Sequence, residues 1–166
     1  MTDINLNAGD GRTLRFQVGR LKVKGLARQL RAVNPAVSVR PLAKATDVFS
    51  DSDLLALLDR HDVLVDATGV PTSKFRVNAL ARDRIPAVYP AVYARGAAGE
   101  VVYTIPRTTP CLECVLGAVR KGQPASVVST ADYTRPGELH AEPALGIDVG
   151  HVAVAGAKIA VALLAR

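Results

Sequence analysis

The order of the apolar segments constrains this chain more than any other feature of its sequence. Helical stretches, with apolar residues about 3.6 positions apart, alternate with short β-branched runs along residues 20–89. The predicted elements are a helix over 20–33, a strand over 37–39, a helix after 51–53, a strand over 62–66, a helix over 72–84 and a strand over 85–89. Such alternation is typical of an α/β fold, in which helices cover a mostly parallel sheet.

Local signals support several of these elements. The pair Asn34-Pro35 ends the first helix, and the run Asp51-Ser52-Asp53 offers a helix N-cap. The apolar run 62–66 predicts a buried parallel strand, which leads into the turn residues Ala67-Thr68-Gly69. Because ligands in open α/β sheets bind beyond the carboxyl ends of the strands, residues 66–69 and 89–92 are expected at the edge of a site.

The second half of the chain predicts an antiparallel extension of the sheet. Two strand-like runs, 92–95 and 100–105, flank a Gly- and Ala-rich turn. Residues 121–142 and the first 18 residues show no clear period and predict loops. From about Gly146 a helix rich in Ala and Gly is expected, and we interpret it as a buried helix of one domain that spans residues 1–166.

Charge and cysteine content limit the classes of partner and compartment. The formal net charge is +6, and basic residues crowd the first quarter of the chain, which suits phosphate, nucleic acid, an acidic partner protein or simply a solvated helix face. Only Phe16 interleaves with the basic run, so stacking on single-stranded nucleic acid is not indicated, and nucleic acid is not the expected partner. Two cysteines and no signal peptide favour a cytoplasmic protein.

The last apolar run is the one segment that raises the question of a membrane. It extends over residues 149–164, which is shorter than the roughly 20 residues of a typical spanning helix. Asp148, His151 and Lys158 border or interrupt it. We therefore expect a helix packed in the protein and no contact with a membrane.

Five motifs in the same order resemble the ThiF/MoeB/ubiquitin-activating family. They are Val18-Gly19-Arg20-Leu21-Lys22 opening a helix that ends in Asn34-Pro35, the strand Asp62–Asp66 followed by Thr68 and Asn78, the hairpin residues Gly99-Glu100-Val101, the run Pro110–Cys114, and Glu142–Asp148 before an Ala-rich helix with Lys158. The resemblance covers roughly residue 9 to the C-terminus.

This resemblance implies a fold and an activity. The fold is a Rossmann-like, ThiF/MoeB-type α/β domain with a mostly parallel sheet, an antiparallel extension and its N-terminal βαβ unit missing. The family uses ATP and Mg²⁺ to adenylate a carboxylate, usually the C-terminus of a ubiquitin-like or sulfur-carrier protein, and its members form homo- or heterodimers. The Gly-x-Gly-Gly-x-Gly nucleotide turn of the family is expected before Met1.

The resemblance also places functional residues. Lys22 stands at the phosphate-contacting lysine of the family, although a lysine at a helix start is also common on a solvated face, and Arg12 corresponds to the family's arginine. The other predicted site residues are Asp66 as a catalytic carboxylate and Thr68, Gly69 and Asn78 as nucleotide contacts. Gly69 occupies the position where the family's metal-binding Asp belongs.

Cys111 and Cys114 form a C-x-x-C that matches half of the family's zinc site. Tetrahedral zinc needs four ligands, and this chain supplies one cysteine pair. His140 or His151 completing the site, a zinc shared by two subunits, a relic pair of thiols and thiolate catalysis all remain open, since a C-x-x-C can lower a thiol pKa.

Three functional hypotheses follow. The first is an adenylyltransferase unit that needs a missing or partner-supplied nucleotide loop. The second is a catalytically inactive partner subunit or scaffold for dimerisation and protein docking, which the glycine at position 69 favours. The third is a basic nucleic-acid-binding domain, whose binding would depend on salt and not on ATP.

Overall fold

The structure is a computed structural model, and it describes residues 21–69, 71–93, 96–120 and 145–166. The chain divides into two compact units, Met1–Phe49 and Ser50–Arg166, and each is described by itself. The single domain expected over residues 1–166 stays a prediction, and the predicted loops over 1–18 and 121–142 lie outside the described residues.

The first unit contains helix α1, Lys22–Val33, close to the predicted bounds. It ends at Asn34, whose backbone N–H still donates to Leu30 O over 2.9 Å. The strand predicted over residues 37–39 is wrong: this segment is irregular and pairs with no strand in the part of the chain that the structure describes. Three alternating residues without a neighbouring strand do not make a ladder, and the Val39 carbonyl instead accepts a 2.6 Å hydrogen bond from the Arg31 guanidinium.

The second unit is a small mixed sheet with helices on both faces. Its elements are α2 Asp51–Leu58, β1 Leu64–Val65, α3 Pro71–Ala81, β2 Ala87–Tyr93, β3 Ala98–Thr104, α4 Leu112–Arg120 and α5 Gly146–Leu164. The strand order is β1-β2-β3, with β1 parallel to β2 and β2 antiparallel to β3. The α/β class and the antiparallel extension are confirmed. Of the two strand pairs in the described residues, one is parallel and one is antiparallel, so this sheet is mixed and not mostly parallel.

The N-cap of helix α2 lies one residue before the predicted run 51–53. Ser50 is the cap: its Oγ accepts the Asp53 N–H over 3.1 Å, and the Asp53 carboxylate accepts the Ser50 N–H over 3.4 Å. This reciprocal pair is a capping box, which satisfies two backbone donors at once. The prediction within residues 51–53 is therefore corrected to Ser50.

Strand β2 runs unbroken through Pro90, although the sequence predicted two separate strands on either side of it. The carbonyls of Pro86 and Val88 accept hydrogen bonds from Leu64 and Asp66, so even-numbered residues of β2 direct their backbone groups towards β1. Pro90 is the next even-numbered residue and lies past the end of β1. Its missing N–H therefore removes no ladder hydrogen bond, and the strand continues.

The residues of β2 alternate between two helical layers. Even-numbered residues face α5, where Gly156 lies against Pro90 and Val88. The odd-numbered Ala87 and Tyr89 pack with Leu112 of α4 in one buried cluster. A second cluster, made of Leu58, Ala81 and Ile85, joins α2 and α3.

Helix α5 differs from the buried helix that was predicted. Only Gly156 and Ala160 are buried, while Ile147, Val154 and Val161 are exposed. The reason is geometric, since a helix on one face of a sheet buries one side only. By length and composition alone, α5 would be long and apolar enough to cross a membrane, a test that core helices of water-soluble proteins also pass.

Candidate functional site

Asp66, Thr68 and Gly69 follow the carboxyl end of β1 and are called here the strand-end site. The Asp66 N–H donates to Val88 O over 2.9 Å, which extends the β1–β2 pairing by one residue. Asp66 Oδ1 accepts two hydrogen bonds from Thr68, 2.8 Å from the backbone N–H and 2.6 Å from Oγ1. This is an Asx turn, in which the carboxylate orders the two residues after it.

The second oxygen of Asp66 has a different environment. The residue is only 4% exposed, and Oδ2 is buried without a hydrogen-bond partner in the described part of the chain. Leaving a buried carboxylate oxygen without a donor costs about 1–3 kcal/mol or more. Magnesium is held in proteins by one or two carboxylate oxygens together with substrate phosphates, so this oxygen fits a magnesium ligand.

Lys74, on α3, is a residue of this sheet edge that the sequence did not single out. Its side chain is half-buried, and Nζ donates to Pro90 O over 3.4 Å. Lys74 thus places a positive charge where β1 has ended and β2 continues. No local sequence pattern identifies it, because its partner is 16 residues away across the sheet.

Gly69 has room for a side chain. It is exposed, and a Cβ added there would meet no other atom within 4 Å. Glycine has no side chain and supplies no metal ligand. No packing constraint in the structure explains why a residue with a side chain is absent from this position.

Lys22, in the first unit, is the first residue of α1 and is exposed. Lys24 follows in the same turn, no acidic residue lies there, and Leu21 at the N-cap offers no side-chain hydrogen bond. Lysines at the positive end of a helix oppose its macrodipole, whereas an anion at that end is stabilised by backbone N–H groups. The arrangement suits phosphate. Arg12 lies outside the described residues.

Cys111 and Cys114 lie at the start of α4 and, with Asn78, are called here the dithiol site. The Cys111 carbonyl accepts the Val115 N–H over 3.1 Å, so Cys111 is the residue from which the helix begins. The two sulfur atoms are 3.5 Å apart. Cys114 is exposed and Cys111 is half-buried, and neither is in a disulfide.

Asn78 of α3 joins this helix start to the core. The residue is fully buried, and its Oδ1 accepts the Leu112 N–H over 3.1 Å and the Tyr89 hydroxyl over 3.5 Å. Its Nδ2 has no hydrogen-bond partner within the described residues. Asn78 therefore caps α4, and its predicted contact with a nucleotide stays a prediction.

The environment of the sulfurs separates their acidities. The backbone N–H of Cys114 lowers the pKa of Cys111, and the Cys114 thiol and the Asn78 amide lower it further. Conversely, the hydrogen bond with Cys111 raises the pKa of Cys114. Cysteine thiols at helix N-termini commonly have such a lowered pKa.

Tyr89 lies between the strand-end site and the dithiol site. It is 1% exposed, and burial raises its pKa well above the usual range, with the charges of Asp66 and Cys111 adding to the shift. The Thr104 hydroxyl lies beside it and opposes the shift, although it does not meet hydrogen-bond geometry and has no partner in the described residues. Thr104 is a further residue that sequence reasoning missed, whereas Tyr89 lies in the range 89–92 that was expected at the edge of a site.

The two thiols do not by themselves fit a zinc site. Zinc in a structural site takes four ligands, and the described residues bring no group of three or more His, Cys, Asp or Glu side chains together. His151 is exposed on α5, and His140 lies outside the described residues.

Comparison with known proteins gives one positive result. A family model described as the ThiF family matches residues 14–165. No curated protein matches the sequence.

Proposed function

The chain belongs to the ThiF family, and from this we propose that it takes part in the ATP-dependent adenylation of a C-terminal carboxylate. The acceptor is a ubiquitin-like or sulfur-carrier protein or peptide, and the active assembly is a dimer. The match to residues 14–165 supports the family, and the α/β architecture agrees with it. A cytoplasmic location remains part of the proposal.

The observation that carries the proposal is the Asp66 carboxylate. It lies at the carboxyl end of a parallel strand, where ligands of open α/β sheets bind. Thr68 holds one of its oxygens, while the other is buried without a partner in the described part. A carboxylate that Thr68 orients through one oxygen, and whose other oxygen meets no donor in the described residues, is suited to hold a cation.

Asp66 would hold Mg²⁺ through Oδ2, and Thr68 would keep the carboxylate oriented. When bound with ATP, the metal neutralises charge on the phosphate oxygens. Lys22 would bind a phosphate group at the start of α1, where the helix N-terminus adds its own attraction for an anion. In this chemistry the protein mainly positions the reactants and offsets charge.

The test is ATP–pyrophosphate exchange with Mg²⁺ and candidate carrier proteins, using the chain alone and mixed with proteins encoded beside it. Asp66→Asn should reduce exchange by about 100-fold or more, because it removes a charged metal ligand and leaves the size unchanged. Asp62→Asn is the matched control, since Asp62 is an exposed acid on the same segment. Equal activity of the Asp66 variant and the control would refute the assignment of Asp66.

Lys22→Ala tests the phosphate contact separately. We expect a loss of about tenfold or more in exchange, mostly through weaker binding of ATP. Arg28→Ala removes another exposed positive charge from α1 and should change exchange little. If both variants lose the same activity, only the general charge of the helix matters.

Gly69 favours a second candidate function, that of a catalytically inactive partner subunit or docking scaffold. The family's metal-binding Asp has no counterpart at this position, while Gly69 leaves space for one. Gly69→Asp should therefore be tolerated in folding. Exchange that appears only in this variant would identify the natural chain as the inactive partner, whereas exchange in the natural chain would exclude that role.

A further inference from the structure

We propose that Cys111 and Cys114 form a redox-active dithiol that exchanges with disulfides of small thiols and closes to an intramolecular disulfide. The inference goes beyond adenylation and uses none of its residues. Its failure and the failure of the proposed function are therefore separate results.

The distance between the sulfurs is the first ground for the proposal. They are 3.5 Å apart, so bond formation at about 2.05 Å requires an approach of about 1.5 Å. Both residues lie at one end of α4, with Cys111 at its start and Cys114 in its first turn. The movement is therefore confined to two side chains and the first turn of one helix.

Access and the position at a helix start supply the second ground. Cys114 is exposed and Cys111 is half-buried, so a small disulfide can reach the pair from solvent. From the protein side, Cys111 lies at the start of α4, since its carbonyl accepts the Val115 N–H over 3.1 Å. The backbone N–H groups at a helix start stabilise the negative charge that sulfur carries during thiol–disulfide exchange.

The exchange balances in two steps. One cysteine, as thiolate, attacks a sulfur of the small disulfide RSSR, forms a mixed disulfide and releases RS⁻. The other cysteine, as thiolate, attacks the protein sulfur of that mixed disulfide and releases the second RS⁻. The two protons lost by the cysteines convert the two RS⁻ to RSH, so the dithiol is oxidised by two electrons and RSSR is reduced by two.

The experiment uses the full chain with glutathione buffers that range from fully reduced to fully oxidised, under anaerobic conditions. Thiols are trapped by acid and alkylation, and the products are identified by mass spectrometry. We expect both cysteines to disappear together in one transition, with loss of two hydrogens and no retained glutathione. The second thiol is present at an effective concentration of about millimolar or more, so it outcompetes dilute glutathione.

Single variants distinguish a dithiol from two independent thiols. Cys111→Ser and Cys114→Ser should each retain one glutathione and form no intramolecular disulfide. Two glutathiones bound to the natural chain, or cysteines that no buffer oxidises, would overturn the proposal. So would about half a zinc or more per purified chain that protects both thiols, since this result indicates a shared metal site.

Discussion

The strand-end site and the dithiol site both belong to the second unit, but different kinds of contact hold them. Asp66 is ordered by Thr68, two residues away. The start of α4 is ordered by Asn78, which lies 34 residues before Leu112. Each site also contains a buried polar atom with no partner in the described residues, an oxygen of Asp66 and the amide nitrogen of Asn78.

This difference indicates which substitutions should disturb each site. A turn held by its own residues survives changes elsewhere and loses little when one of its hydrogen bonds is removed. A helix start held by a distant, buried amide depends on the packing of the whole core between the helix and that amide. The following three predictions test this contrast, beginning with the largest effect.

Asn78→Ala should destabilise the second unit by about 2–4 kcal/mol, because it leaves the Leu112 N–H unpaired and opens a cavity. The measurement is equilibrium unfolding in urea. Asn34→Ala is the control: its exposed side chain accepts one local hydrogen bond from Ala36, so a loss of about 0.5–1 kcal/mol is expected. Similar losses in the two variants would contradict the contrast between local and distant contacts.

Tyr89, which lies between the two sites, should make the protein less stable in alkali. Its pKa is raised in the folded state by burial, so above about pH 10 the unfolded chain loses this proton while the folded chain keeps it. The contribution of Tyr89 to the free energy of unfolding is fully present below pH 10 and decreases by about 1.4 kcal/mol per pH unit above it.

Tyr89→Phe removes this term and should give a shallower decline in the free energy of unfolding above pH 10. Tyr103→Phe removes an exposed hydroxyl and serves as the control. Parallel declines in the natural chain and the Tyr89 variant would show that the folded state does not shield this hydroxyl.

Thr68→Val should have the smallest effect, a loss of about 1 kcal/mol in the free energy of unfolding. It removes the 2.6 Å hydroxyl bond to Asp66 and keeps the backbone bond of the turn. Thr108→Val is the control, since the hydroxyl of the exposed Thr108 donates to the Pro106 carbonyl over 3.3 Å, and a change below about 0.5 kcal/mol is expected. A loss as large as that of Asn78→Ala would mean that the turn depends on more than local bonds.

Much of the architecture was predictable because it depends on neighbours in the chain. The helices α1 and α3, the parallel strand after residue 62 and the antiparallel hairpin follow from periodicity and turn residues. The errors have physical causes. Residues 37–39 have strand-like alternation but no partner strand in the part of the chain that the structure describes. Pro90 indicated a break in the strand, but it lies past the end of β1, so its missing N–H removes no ladder hydrogen bond and the strand continues.

The candidate sites divide in the same way. Asp66, Thr68, the cysteine spacing and the range 89–92 that contains Tyr89 were visible in the sequence, whereas Lys74, Thr104 and the contact of Tyr89 with Asn78 became apparent only in the fold. Lys74 lies 16 residues from its carbonyl partner, and Tyr89 lies 11 residues from Asn78. Such pairs are decided by the register of strands and by which face of a helix meets the sheet.

The sequence by itself determined the α/β class, the ThiF resemblance that the family match confirms, the turn at Asp66 and the C-x-x-C. Tertiary structure alone decided that Asn78 caps α4, that one oxygen of Asp66 is buried without a partner in the described residues, and that α5 exposes an apolar side. The reason is the range of the interactions. The turn at Asp66 and the cap at Ser50 join residues two or three positions apart, whereas burial and the pairing of distant polar groups depend on how the layers pack together.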